Sequence, residues 1–197
     1  MEVNMFSWLN FLSYALVTAA TPGPNNIMSM SNASRLGLRR SFPFNLGIWL
    51  GFSLVMLGCT FFCNMLSALI PKIKLPMLIV GAAYMLWLAW KTFRSSSVIE
   101  EDHSRSGFIS GLMLQFVNAK IYIYCIVSME VYILPFYQGE WGALIFFALL
   151  LAFIGFAFNI CWALFGSAFR LLFSRYARLS NTIMALLLVY CAVSLFI

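Results

Sequence analysis

Long apolar runs separated by short charged gaps divide this chain of 197 residues. The first run, Val3 to Ser34, carries no charge at all. It exceeds the about 20 apolar residues that suffice to cross a bilayer. The runs together predict an all-α chain of six helices, at 6–30, 43–70, 75–93, 108–133, 141–169 and 180–197. The third is short and the last is just long enough. Ser41 is placed to cap helix two, with Pro43 in its first turn. Pro71 and Pro76 bracket a tight turn between helices two and three, and Pro135 with Gly139 marks the turn after helix four.

Two polar interruptions break this pattern. Thr21-Pro22-Gly23-Pro24-Asn25-Asn26 lies inside the first run. Proline removes a backbone donor and clashes with the preceding turn, so this segment is no relaxed helix. Broken backbone at membrane depth is tolerated only where protein or a water-filled cavity satisfies the freed polar groups. The second interruption is Gln115-Phe116-Val117-Asn118-Ala119-Lys120 in helix four. Lys120 falls near the midplane of its span, where a charge costs roughly 3 kcal/mol on insertion scales. Such a residue is a functional-site candidate, and the structural alternative is that it bonds carbonyls freed by a break. On a regular helix Gln115, Asn118 and Tyr122 share a face, whereas Asn118 and Lys120 point about 200° apart. Both serve one cavity only if the helix is locally irregular. Glu130 lies about 15 Å further along the helix, too far for a direct pair with Lys120. It is expected near the outer interface, with a proton-relay role as the alternative. Asn159 in helix five adds a buried amide that serves either the same cavity or an interhelical hydrogen bond.

The interruptions occupy the first helix of each half of the chain. Paired interruptions in corresponding segments point to a 3+3 inverted-repeat transporter, with broken helices one and four and the site at the repeat interface. Basic residues set the orientation. The first, third and fifth loops hold nine: Arg35, Arg39 and Arg40, then Lys91, Arg94 and Arg105, then Arg170, Arg175 and Arg178. The second loop has Lys72 and Lys74, and the fourth has none. The odd loops are therefore expected in the cytoplasm, with both termini outside. Glu100, Glu101 and Asp102 offset the third loop but count little in this rule. Trp8, Trp49, Trp87, Trp90 and Trp141 fall near span ends, as interface anchors do. Gly47 and Gly51 form a small-residue packing pattern, suited to tight packing within the monomer or to a homodimer face.

Composition agrees. The chain is 63% hydrophobic and 9% charged, against about 25% charged in a typical soluble domain. The surplus apolar surface is expected to face the lipid bilayer, in one membrane domain spanning 1–197. The net charge of +6 does not imply a nucleic-acid partner, because the basic residues sit in gaps between apolar runs. No basic segment precedes the first run, so no cleavable signal peptide is expected. Cys59, Cys63, Cys125, Cys161 and Cys191 all lie within apolar runs and read as small hydrophobes. With His103 the only histidine, a metal site has little material, and neither a metal nor a cofactor is expected. No nucleophile–base constellation points to an enzyme.

Over essentially its whole length the chain resembles the LysE/RhtB family of bacterial amino-acid exporters. The resemblance rests on Thr21-Pro22-Gly23-Pro24 with the basic loop that follows and on Gly81-Ala82-Ala83-Tyr84 with Leu86-Trp87-Leu88. Asn118-Ala119-Lys120 also matches. The family usually shows proline where Ala119 stands, so the break in helix four is less enforced here. Pro24-Asn25-Asn26, Gln115-Phe116-Val117-Asn118, Asn159-x-Cys161-Trp162-Ala163 and the segment Leu186 to Ala192 are most similar to the cysteine/O-acetylserine exporter branch. The resemblance implies proton-driven efflux of small neutral amino acids across the inner membrane. The expected substrate site comprises Thr21, Pro22, Gly23, Pro24, Asn25, Asn26, Gln115, Asn118, Lys120 and Asn159. The helix restarting after Gly23 suits a carboxylate, reinforced by Lys120. Asn25, Asn26, Asn118 and freed carbonyls suit the ammonium. A membrane thiol-electron carrier and an uncoupled channel remain as alternative readings. The first requires two cysteines that meet.

Overall fold

The first apolar run is two helices, not one. In a computed structural model describing residues 6–94, 107–169 and 175–193 (for 63–75, 77, 78, 81 and 177 the backbone alone), every regular element is helical. Helix α1 spans Trp8–Ala20, and the Ser7 hydroxyl accepts from the Asn10 amide at its start. Thr21, Pro22 and Gly23 are non-helical, and α2 restarts at Pro24–Leu36 with the proline at its first position. There the missing N–H costs nothing, because the first donors of a helix have no internal acceptor.

A single residue joins α2 to α3 (Leu38–Phe61). Gly37 takes φ of 80°, a conformation that favours glycine. The loop expected between 30 and 43 is thus helical on both sides. Ser41 is not a cap: its hydroxyl donates to the Leu38 carbonyl inside α3, and Pro43 lies inside the helix too. A second difference follows. The turn expected at Pro71 and Pro76 is absent, and α4 runs unbroken over Cys63–Arg94. The chain leaves helical geometry earlier, at Phe62 (φ −105°, ψ 17°). Each proline removes one donor, and the remaining bonds of a helix in apolar surroundings have no water to compete for them.

Helix four is broken. Helix α5 (Phe108–Phe116) ends at Val117, and α6 (Ala119–Val127) begins after Asn118. The chain continues through a π-helical segment, Ser128–Ile133, and a last turn, α7 (Leu134–Tyr137). Gly139 at φ 88° then makes the predicted turn. Helix α8 spans Trp141–Ala168 and α9 spans Ala177–Val193. Among the described residues, three stretches are long and apolar enough to cross a membrane: Leu38–Phe61, Ala119–Tyr137 and Trp141–Ala168. The expectations about His103, the acidic cluster at 100–102, Arg105 and Arg170 lie outside the described residues.

Two apolar cores hold the bundle. One joins α1, the C-terminal half of α3, α6, the π segment and the N-terminal half of α8, around Phe11, Met56, Met129 and Leu151. The other joins α2, the N-terminal half of α3, α4, α5 and α9, around Ile27, Ile48, Met85 and Leu188. Glycines let the backbones meet. A side chain on Gly47 would collide with the Phe108 carbonyl, one on Gly111 with the Phe44 carbonyl, and one on Gly166 with the Met30 carbonyl. The Gly47/Gly51 pattern is therefore used for packing α3 on α5 within the chain. Trp8, Trp49, Trp87, Trp90 and Trp141 are all exposed, and at the end of α4 Lys91 and Arg94 stack over Trp87 and Trp90.

Candidate functional site

The break between α1 and α2 releases carbonyls that need donors, and the fold answers them one by one. The Thr21 hydroxyl donates to the Thr18 carbonyl at 2.8 Å. The Asn26 amide donates to the carbonyls of Ala19 and Thr21, both at 2.9 Å. The Trp162 indole donates to Ala20 at 3.3 Å, and the Cys191 thiol to Pro22 at 3.5 Å. Lys120 reaches across from α6: its Nζ donates to the Thr21 carbonyl at 3.0 Å and to the Thr21 hydroxyl at 2.9 Å. Two of the three donors of the ammonium are used there. The structural alternative raised for Lys120 is thus part of its role.

The second break is made by Asn118. Its Oδ1 accepts from the Lys120 amide at 3.2 Å, capping α6, while its own backbone is extended. Its Nδ2 donates to Asn25 Oδ1 at 3.1 Å. The same Asn25 oxygen accepts from Gln115 Nε2 at 3.2 Å, and Asn25 Nδ2 donates to Gln115 Oε1 at 2.8 Å. Gln115 also donates to the Gly111 carbonyl at 2.8 Å. Three buried amides thus tie the N-terminus of α2 to both sides of the α5–α6 break. Networks of this kind, fully bonded, fix one geometry.

A cavity of about 40 Å³ opens between these elements. Asn25, Asn26, Asn118, Lys120 and Asn159 line it, so the local irregularity at Val117 and Asn118 does bring Asn118 and Lys120 to one space. The volume holds on the order of two or three waters. Beyond Lys120 and Gly23 lies a second chamber of about 320 Å³, which shares Thr18, Gly23, Pro24, Lys120 and Tyr124 with the first. Lys120 stands between the two.

Of the residues expected at the site, Gly23, Pro24, Asn25, Asn26, Asn118, Lys120 and Asn159 line the central cavity, and Thr21 and Pro22 line the larger chamber. Gln115 lies behind Asn25 and holds it in place. The assignment of the acceptors changes. Asn25 Oδ1 and Asn118 Oδ1 accept bonds within the network, and Asn26 Nδ2 donates to α1. Asn159 is buried and its Oδ1 has no partner, which makes it an unused acceptor beside the cavity. Glu130 is exposed on the π segment and does not line the cavity, in line with its expected outer position. Sequence reasoning missed Thr18, Phe52, Tyr124 and Gly155 in the lining. It also left Cys59 and Cys125 apart, whereas the two buried thiols are in hydrogen-bonding contact.

Comparison with known proteins bears on this arrangement. Residues 16–197 match the family described as LysE type translocator. Over 188 residues the chain is 45% identical to the cysteine/O-acetylserine efflux protein of Salmonella typhimurium (strain LT2), covering 94% of this chain and 95% of that relative. It is 42% identical over 190 residues to the cysteine/O-acetylserine efflux protein of Escherichia coli (strain K12), covering 94% of this chain and 95% of that relative. No solved structure matches.

Proposed function

The chain belongs to the LysE type translocator family, and from that premise we propose that it exports a small neutral amino acid, cysteine, O-acetylserine or a relative of these, across the bacterial inner membrane. The observation that carries this reading is the convergence of two helix breaks on one polar cavity in an otherwise apolar bundle. A zwitterion needs donors for its carboxylate and acceptors for its ammonium. The start of α2 offers the backbone N–H groups of Asn25 and Asn26 with the positive end of the helix dipole. The third donor of Lys120 adds a charge. Asn159 Oδ1 and the cavity-facing carbonyls receive the ammonium.

In this reading the chain is one membrane domain of six spans, with α1 and α2 as the first, α3 and α4 as the next two, α5 to α7 as the fourth, and α8 and α9 as the last. Several helix pairings fit a 3+3 repeat, and three spans per half would make it an inverted one. The pairs α3–α8 and α4–α9 map onto themselves when the halves are exchanged. The exchange also carries α2–α8 into α3–α6, α1–α8 into α3–α5, and α2–α9 into α4–α6. The odd loops face the cytoplasm, both termini lie outside, and the proton gradient drives export. A homodimer, if formed, uses faces other than the Gly47/Gly51 seam.

The test is transport by the full chain in inverted membrane vesicles, with labelled cysteine and O-acetylserine, with and without a proton gradient. Lys120→Met, present in the membrane at the wild-type level, is expected to lower the rate at least about tenfold, the scale of losing a charged partner. Full transport by this variant would remove Lys120 from the mechanism. The thiol contact of Cys59 and Cys125 favours one other reading, a thiol-electron carrier. Replacing all five cysteines decides it: retained transport excludes a redox mechanism.

A further inference from the structure

A separate cavity of about 260 Å³ lies at the end of the bundle that carries Arg35 and Lys91. Its walls are polar beyond what packing requires. Helix α2 contributes Ser31, Asn32 and Arg35, α4 contributes Lys91 and Thr92, and α5 contributes Ser110. Asn32 is only 5% exposed, and its Nδ2 has no hydrogen-bond partner. A buried donor left unbonded is costly, and turning it toward an acceptor in the cavity removes that cost.

Polar residues on α2 lie between this cavity and the central site. At about 100° per residue, Asn25, Ser29 and Asn32 fall within about 60° of one another on α2. Ser29 is fully buried and its Oγ likewise lacks a partner. A polar stripe thus runs about 10 Å along α2, from the amide network at Asn25 to the wall of the second cavity. Unbonded polar groups on one line of a buried helix are costly unless a ligand or water meets them.

We propose that this cavity is an entry site for the substrate. It takes the carboxylate of a small zwitterionic amino acid at Asn32 Nδ2, in the field of Arg35 and Lys91, before the molecule passes along Ser29 to the site at Lys120. The inference rests on the efflux reading and its orientation, in which this end faces the cytoplasm.

The experiment is the concentration dependence of labelled O-acetylserine uptake by the full chain in inverted vesicles. Asn32→Leu removes the donor, Asn32→Ser keeps a shorter one, and Lys91→Gln removes charge from the opposite wall. The expected result is a KM about tenfold higher in Asn32→Leu and Lys91→Gln, with Asn32→Ser between them and wild type and maximal rates near wild type. An unchanged KM, or a lower maximal rate at unchanged KM, overturns the entry site and leaves the efflux reading standing. If Asn32→Leu does not reach the membrane, the other two variants decide by the same criterion. Wild-type protein that transports no labelled amino acid overturns the efflux reading, and the entry site with it.

Discussion

Gly23 is in contact with the side chain of Lys120. A Cβ built on Gly23 would lie 3.1 Å from Lys120 Cδ and 3.1 Å from Nζ. The backbone of Gly23 is extended (φ −160°), so a larger residue meets steric hindrance there and no backbone strain. Gly23→Ala is therefore expected to displace the lysine rather than the helix. Transport should fall several-fold, with a stability change below about 1 kcal/mol. Initial rates and thermal unfolding of purified protein measure the two effects, and a wild-type rate would show that the Lys120 position is not critical. At this scale the sequence marked Asn25, Gln115, Asn118, Lys120 and Asn159, because polar residues in an apolar run stand out. It could not say which bonds to which. Thr18, Phe52 and Tyr124 were missed because such residues on a membrane helix look the same whether they face a cavity or lipid.

The helix breaks show how an element can be legible while its cause is not. Proline and glycine announced the break before α2. The break before α6 has no proline, and Asn118 makes it by accepting from the Lys120 amide. Ala119 occupies the first helical position of α6, where proline is preorganised. Ala119→Pro is thus expected to leave transport near wild type and to stabilise by about 0.4–1 kcal/mol. Denaturation in detergent measures this, and a destabilised protein would mean the Asn118 geometry is incompatible with proline. The opposite error occurred at Pro71 and Pro76, which promised a turn inside what is a continuous α4. A proline lowers helix stability by a local amount, and whether the helix yields depends on what the surrounding bundle supplies.

At the scale of the molecule, each apolar core draws helices from both halves of the chain, and the amide network joins α2 of the first half to the α5–α6 break of the second. Three spans in each half, as proposed, would set the halves in opposite orientations. Reporter fusions give the direct measurement: those at Ser97 and Ser174 are expected to read cytoplasmic and one at Gln138 periplasmic. The reverse pattern would overturn the orientation, and with it the side from which substrate enters.

The sequence by itself determined the class of the protein: apolar runs that demand a bilayer and two polar interruptions that demand a lined cavity, while its basic-residue pattern predicts an orientation. These are local or additive properties, since hydropathy, proline geometry and charge act wherever the residue stands. The tertiary structure decided the site. It gave Asn25 two partners ninety or more residues away, placed Lys120 over Gly23, and left Asn32, Ser29 and Asn159 with polar atoms unbonded. Satisfaction of a buried polar group depends on which distant atoms fill its surroundings, and no spacing along the chain encodes that.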